Sequence, residues 1–253
     1  MKFYAIITMA KNGQGGSMRI DKLISEMGIA SRKESSLAAR RGIILVNGIP
    51  VKDASRHIDP ERDVVEYAGR RIDYGKFVYV MLNKPTGYVS ATEDSRLPVV
   101  TSLLPEELQK RELFPVGRLD RDTVGLMILT NDGALAHTLL SPRHHVEKEY
   151  YFKSDEPMRH GVEEEFSGGV TLADGYECKS ALIALDSDRC GGKITLTEGK
   201  YHQIKRMVAA CENRVTYLER ISFAGIPLDP KLGRGEWRYL TEAEISTLRE
   251  KAK

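Results

Sequence analysis

The sequence holds no apolar run near the roughly 20 residues that a helix needs to cross a bilayer. Its longest runs, Phe77–Leu82 and Gly125–Leu129, are strand-sized, which excludes a helical membrane span. Cysteine is scarce too. Cys178, Cys190 and Cys211 are the three in the chain, with no Cys-x-x-Cys pair; this argues against a disulfide framework and a zinc knuckle alike and points to a reducing cytoplasm. Glycine-rich nucleotide-binding loops, internal repeats and low-complexity tracts are missing. Nor is there an excess of one charge, since 38 basic and 36 acidic residues leave +2. What is present is a 253-residue chain, 41% hydrophobic and 29% charged, which suffices for one large or two modest cores in a soluble globular protein. Phe3–Ala10 is apolar but short, and Lys11-Asn12-Gly13-Gln14 stands where signal cleavage would need small residues. Residues 1–17 therefore read as an upstream extension, start-site artefact or cloning remnant.

The charge is unevenly spread. Residues 18–76 carry 12 basic against 9 acidic side chains, and residues 77–253 carry 24 against 27. Ile20, Leu23, Ile24 and Met27 lie on one helical face, closed by Gly28. Ser31-Arg32-Lys33-Glu34 is a capping box opening a second helix that Gly42 stops. Arg32, Lys33, Arg40 and Arg41 make a cationic ridge on it, Lys33 and Arg40 being seven apart. Ile43–Val46, Asn47-Gly48 and Ile49–Lys52 predict a hairpin. Residues 69–76 are polar, glycine-flanked and aperiodic, and read as a linker between a domain at 18–68 and one at 77–253.

The larger part mixes strand patterns (125–130, 148–152, 180–185, 193–197, 215–223) with helical ones (105–111, 132–140, 158–166, 202–212, 242–251). No regular strand-helix alternation appears, so the expected class is α+β with a mainly antiparallel mixed sheet. Its most informative stretch is Val116-Gly117-Arg118-Leu119-Asp120-Arg121-Asp122-Thr123-Val124-Gly125, a polar loop between glycines ahead of the apolar Leu126–Leu129. From residue types alone, Asp120 and Asp122 are an acid pair, a magnesium site or turn formers. Further on, Lys205 and Arg206 sit on a helix whose apolar face is Ile204, Met207, Val208 and Cys211, so both cations project from the core. Tyr150 and Tyr151 on a strand point oppositely.

Arg19–Leu23, Ser31-Arg32-Lys33 and Val46-Asn47-Gly48 together resemble the RNA-binding domain first described in ribosomal small-subunit protein four. Gly117-Arg118-Leu119-Asp120-x-x-Thr123-x-Gly125-Leu126-x-x-Leu129-Thr130-Asn131-Asp132-Gly133 resembles the catalytic signature of the RsuA branch of pseudouridine synthases. Asn83-Lys84-Pro85-x-Gly87 looks like that family's first motif, Ser141–His145 through Glu147–Tyr150 like its tyrosine segment, and Glu198–Met207 like its basic third motif. From Met18 to about Leu240 the order and spacing match.

The resemblance implies an enzyme that isomerises uridine in ribosomal RNA, and it assigns the roles that follow. Asp120 is the catalytic carboxylate, acting as nucleophile on the sugar or as base on the 2′ proton. Lys205 is the cation that keeps Asp120 ionised, with Arg206 as the other possible partner of Asp120 or of a phosphate. Tyr150 stacks on the everted uracil and helps remove the carbon 5 proton. Arg118 fills the vacated place in the RNA, a charge pairing with a neighbouring carboxylate being the plainer reading. Lys33, Arg40, Arg41, Arg206 and His202 contact RNA. The isomerisation leaves composition unchanged, so no cofactor is expected, and the adjacent His144 and His145 give no metal site. The expected partner is 16S rRNA, within an assembling small subunit or free, bound by a cytoplasmic monomer. Two rivals are a 23S-modifying enzyme of the same branch and a non-catalytic RNA-binding assembly factor. A glycosidase using Asp120 and Asp122 is disfavoured, because carboxylates two residues apart in one loop seldom span a sugar.

Overall fold

The computed structural model describes residues 17–60, 62–72 and 77–253, so the extension expected at 1–17 lies, Ser17 apart, outside the described residues. The chain divides into two compact units. One is Met1–Val78 with Leu104–Leu113, the other Tyr79–Leu103 with Phe114–Lys253.

In the first unit β1 (Met18–Arg19) leads into α1 (Ile20–Glu26) and α2 (Arg32–Arg40), followed by β2 (Ile44–Val46), β3 (Ile49–Pro50), β4 (His57–Ile58), β5 (Val65–Tyr67) and β6 (Arg70–Ile72); α3 (Glu106–Gln109) also belongs here. Ile20, Leu23 and Ile24 are buried, as the periodicity requires. The capping box forms: Glu34 N–H donates to Ser31 Oγ at 3.3 Å and Ser31 N–H to Glu34 Oε2 at 2.8 Å. Ser35, Ala38 and Ala39 turn inward, leaving Lys33, Arg40 and Arg41 exposed. Asn47 (φ 54°) and Gly48 (φ 78°) make the two-residue turn that their positive φ angles allow.

One expectation needs correcting. Of residues 69–76, read as a linker, Arg70–Ile72 form a strand, giving a four-stranded sheet ordered β3-β2-β5-β6 with Val65 opposite Ile72. Strands of three residues, with only Val65 and Ile72 deeply buried, are too short to show a period. Residues 73–76 lie outside the described residues.

The second unit carries β7 (Tyr79–Lys84), β8 (Phe114–Pro115), β9 (Val124–Thr130), α4 (Gly133–Leu140), β10 (Lys148–Ser154), α5 (Val162–Gly168), β11 (Leu182–Leu185), β12 (Gly191–Leu196), α6 (Gln203–Ala210), β13 (Val215–Phe223), β14 (Ile226–Pro227), β15 (Trp237–Tyr239) and α7 (Glu242–Lys251). Nine strands form one sheet with the path β11-β12-β10-β13-β9-β7-β15. Among the described strand pairs of this sheet only β9 with β13 is parallel, so the expected α+β, mainly antiparallel architecture is what forms. Every residue of β7 and β9 is buried, which is why Tyr79–Leu82 and Val124–Leu129 within them read as continuous apolar runs. The helix expected at 158–166 starts at Val162, because Gly161 at φ 86° cannot continue a right-handed turn.

Gly125 has a specific reason to be glycine. Its φ is 99°, and a Cβ there would stand 2.3 Å from the Arg220 carbonyl oxygen across the parallel pair. Any side chain would separate β9 from β13 at the residue where the acidic loop enters the sheet. No described helix is long and apolar enough to cross a membrane.

Candidate active site

The loop bearing Asp120 is pinned from below. Lys84, fully buried at the end of β7, points its ammonium at four carbonyl oxygens: Thr123 at 2.7 Å, Asp120 and Pro85 at 3.1 Å and Arg121 at 3.3 Å. Gly87 N–H donates to the Arg121 carbonyl at 2.8 Å. Ser90 Oγ donates to the Leu119 carbonyl at 2.7 Å and accepts from Leu119 N–H at 2.9 Å. A loop whose carbonyls meet one buried cation has little freedom to move its carboxylate. Burial disfavours the Lys84 ammonium and brings it down to about 8, although Asp122 and Asp120 pull the other way.

The cation that meets Asp120 comes from α6. Lys205 Nζ lies 3.1 Å from Asp120 Oδ2 and 2.6 Å from Asp122 Oδ1, and His202 Nε2 lies 3.6 Å from Asp120 Oδ1. Burial works against the charge on Asp122, but the hydrogen bond and charge of Lys205 outweigh it and hold the carboxyl below its ordinary value. Burial likewise opposes the Lys205 ammonium, and its bonds to Asp122 and Asp120 overcome that and raise it. The turn preceding α6 is itself held. Buried Glu198 accepts from Gln203 Nε2 at 2.5 Å, Lys179 N–H at 2.9 Å and the Tyr176 hydroxyl at 2.9 Å, while Lys200 N–H donates to Gln203 Oε1 at 2.9 Å. His202 then adopts φ 50° as the residue before the helix, which brings its ring beside the acid.

Tyr150 is inward on β10, and Tyr151 faces the other way with its hydroxyl on Asp186 at 2.9 Å. Tyr150 stands opposite Arg220 on β13, and Arg220 stands opposite Gly125 on β9. That places Tyr150 two strand spacings, about 10 Å, from the exit of the Asp120 loop. A concavity of about 370 Å³ lined by Tyr151, Lys153, Tyr217 and Glu219 opens on the opposite face of the sheet and contains none of the predicted site residues.

Asp120, Lys205 and His202 are thus brought together, with Asp122 as a fourth member. Arg206 is turned away, its guanidinium on Asp174 Oδ2 at 2.5 Å, so among the described residues Lys205 and not Arg206 is the partner of Asp120. Arg118 is exposed two residues before Asp120 and forms no ion pair among the described residues. Lys33, Arg40 and Arg41 belong to the first unit, exposed and likewise without ion pairs among the described residues. Among the described residues, no cluster of three His, Cys, Asp or Glu side chains could hold a metal ion.

Two buried cations escaped the sequence reading in this role. Lys84 was visible only as part of Asn83-Lys84-Pro85. Arg220, 2% exposed, donates from Nε to the Leu126 carbonyl at 2.7 Å, lies 5.3 Å from the centre of the Phe223 ring, and its Nη2 makes no hydrogen bond among the described residues. A polar residue at the end of the apolar run of β7 was the available signal for Lys84; β13 mixes polar and apolar residues and offered none for Arg220.

A carboxylate fixed by a pinned turn and faced by a lysine on a mixed sheet is an arrangement suited to an enzyme centre. The RNA pseudouridylate synthase family model matches residues 78–210, and an S4 domain model matches residues 18–65. The chain is 44% identical over 236 residues to a Bacillus subtilis protein named "Uncharacterized RNA pseudouridine synthase YtzG", spanning 92% of this chain and 99% of that one. It is 38% identical to the Escherichia coli ribosomal small subunit pseudouridine synthase A, over 91% and 100% of the two chains. A solved crystal structure of a pseudouridylate synthase superposes with a TM-score of 0.65 at 35% identity, covering 92% of this chain and all of the other. The chain belongs to the RNA pseudouridylate synthases, which are isomerases, and within them to the RsuA type.

Proposed function

We propose that this enzyme converts one uridine of 16S ribosomal RNA to pseudouridine in the cytoplasm, the first unit holding the RNA and the second performing the isomerisation. A uridine stacked in RNA cannot reach a fixed loop carboxylate, so it is everted first, Arg118 taking its place. Asp120 then acts on the ribose, by attack at the anomeric carbon or by removing the 2′ proton. The glycosidic C–N bond breaks, the uracil turns, carbon 5 bonds to the anomeric carbon and its proton leaves with the help of Tyr150. A primary isotope effect from deuterium at the 2′ carbon separates the two routes, because only the base mechanism breaks that C–H bond.

The observation carrying this reading is the Lys205 ammonium 3.1 Å from the Asp120 carboxylate at the end of a turn held by Lys84. The small-subunit target is favoured by the 38% identity, along nearly the whole chain, to the Escherichia coli small-subunit enzyme. Carbodiimide-dependent reverse-transcription stops mapped across both rRNAs, from cells with and without this protein, test it. One stop lost from 16S rRNA is expected. A stop lost only from 23S rRNA reassigns the substrate, and none lost from either overturns the reading.

A further inference from the structure

Tyr201 is a large side chain with no structural employment. It is 71% exposed, and its hydroxyl makes no hydrogen bond among the described residues. Burial therefore does not explain an aromatic residue here. Yet the ring is not loose. It lies against His202, with centroids 3.8 Å apart and planes 17° from parallel. His202 is in turn fixed by its left-handed backbone and by Asp120, 3.6 Å from its Nε2. One face of Tyr201 is covered by the imidazole and the other is open to solvent. The ring is thus a flat apolar surface held one side chain away from the candidate catalytic carboxylate. Of the cations beside it in sequence, Lys205 is shared by Asp120 and Asp122 and Arg206 is on Asp174, while the Lys200 ammonium lies 4.8 Å from the centre of the Tyr176 ring.

We propose that the Tyr201–His202 stack is a platform for a nucleobase adjacent to the target uridine, a subsite for RNA beside the reacting nucleotide. This rests on the reading of Asp120 as the acid that meets the everted uridine. Eversion leaves the neighbouring base without a stacking partner on one side. An exposed ring already oriented beside the acid replaces that partner at little ordering cost. Stacking on a π-face accepts any base, so the platform contributes affinity and register rather than sequence reading.

Tyr201 is exposed, so its replacement does not threaten the fold. The probe is a short oligouridine with one internal 2-aminopurine, whose fluorescence is quenched when it stacks. With saturating full-length protein, wild type and Tyr201→Phe quench it, and Tyr201→Ala does not; equal quenching by the alanine variant overturns the platform. A second arm reads turnover on an RNA hairpin around the uridine found by stop mapping. Tyr201→Ala raises KM on the order of tenfold, Tyr201→Phe restores it, and the difference between alanine and wild type disappears when the flanking nucleotide is abasic. A loss that persists on abasic RNA means Tyr201 only orients His202, and overturns the proposal. Quenching without any pseudouridine formation by wild type would instead leave the platform standing and remove the proposed reaction.

Discussion

The Asp120 loop and the cationic ridge of α2 both present charge to solvent, yet they are built in opposite ways. Under the loop lies a buried lysine bonded to four of its neighbouring carbonyls, and over it a second lysine bridges two carboxylates. Among the described residues the ridge has nothing comparable: Lys33, Arg40 and the capping Arg41 stand exposed on and at the end of a helix whose inner face is small residues. Chemistry requires one group at one point, and its position is set by buried partners whose loss is costly. Polyanion attraction requires only charge of one sign over an area, because it acts through counterion release and tolerates moving side chains. Substitutions should therefore separate cleanly, with loop changes reducing rate or stability and ridge changes reducing affinity.

The largest effect belongs to Asp120→Asn, which keeps shape and removes charge. Single-turnover pseudouridine formation should fall by on the order of a thousandfold or more, while filter binding shows RNA affinity nearly intact. A parallel loss of affinity would blur the distinction between the two regions.

Lys84→Met comes next. It strips a donor from four carbonyls at the base of the loop and should cost roughly 3 kcal/mol in denaturant unfolding. It also has a pH signature. Burial holds the folded Lys84 at about 8 against an ordinary 10.5, so between those values the unfolded chain binds a proton that the folded chain does not. Wild type accordingly gains stability relative to the variant as pH rises through that window. Stability curves that stay parallel from pH 7 to 10.5 would mean Lys84 is not desolvated as described.

Lys205→Met should lower kcat on the order of a hundredfold by removing the cation facing Asp120, with Lys205→Arg recovering part of it. An unchanged kcat would reduce the pair to surface charge. Smallest is the joint replacement of Lys33, Arg40 and Arg41 by alanine, which should raise KM and flatten the logarithmic salt slope by about 3. A slope equal to wild type would place the electrostatic anchor elsewhere.

The two regions also differ in how far they can be read from sequence. The ridge is local: a capping box, a heptad spacing and a turn dipeptide, each within a few residues, determine it. The acidic loop shows its own boundaries, Gly117 and Gly125, and its strand. Its supports do not show, because Lys84 meets carbonyls 36 to 39 residues away and Arg220 reaches one 94 residues away. Such contacts exist only once β7, β9 and β13 are paired. The Lys205–Asp120 pair was legible through motif resemblance and not through spacing, since all of β9 to β12 and the helices α4 and α5 lie between the two residues. The choice between Lys205 and Arg206 needed the helix phase, which turns Arg206 toward Asp174. In the first unit β5 and β6 were too short to announce themselves.

Lys205 touches two acids, and the shorter contact is to the exposed Asp122 rather than to Asp120. In the proposed reaction Asp120 carries the chemistry and Asp122 takes only a share of the lysine. Release of tritium from carbon 5 of uridine-labelled rRNA transcripts follows the reaction itself, because that proton leaves when the new C–C bond is complete. Wild type should release tritium from one uridine per transcript, Asp122→Asn should still release it at a reduced rate, and Asp120→Asn should release none; release by Asp120→Asn with none by Asp122→Asn would contradict the assignment.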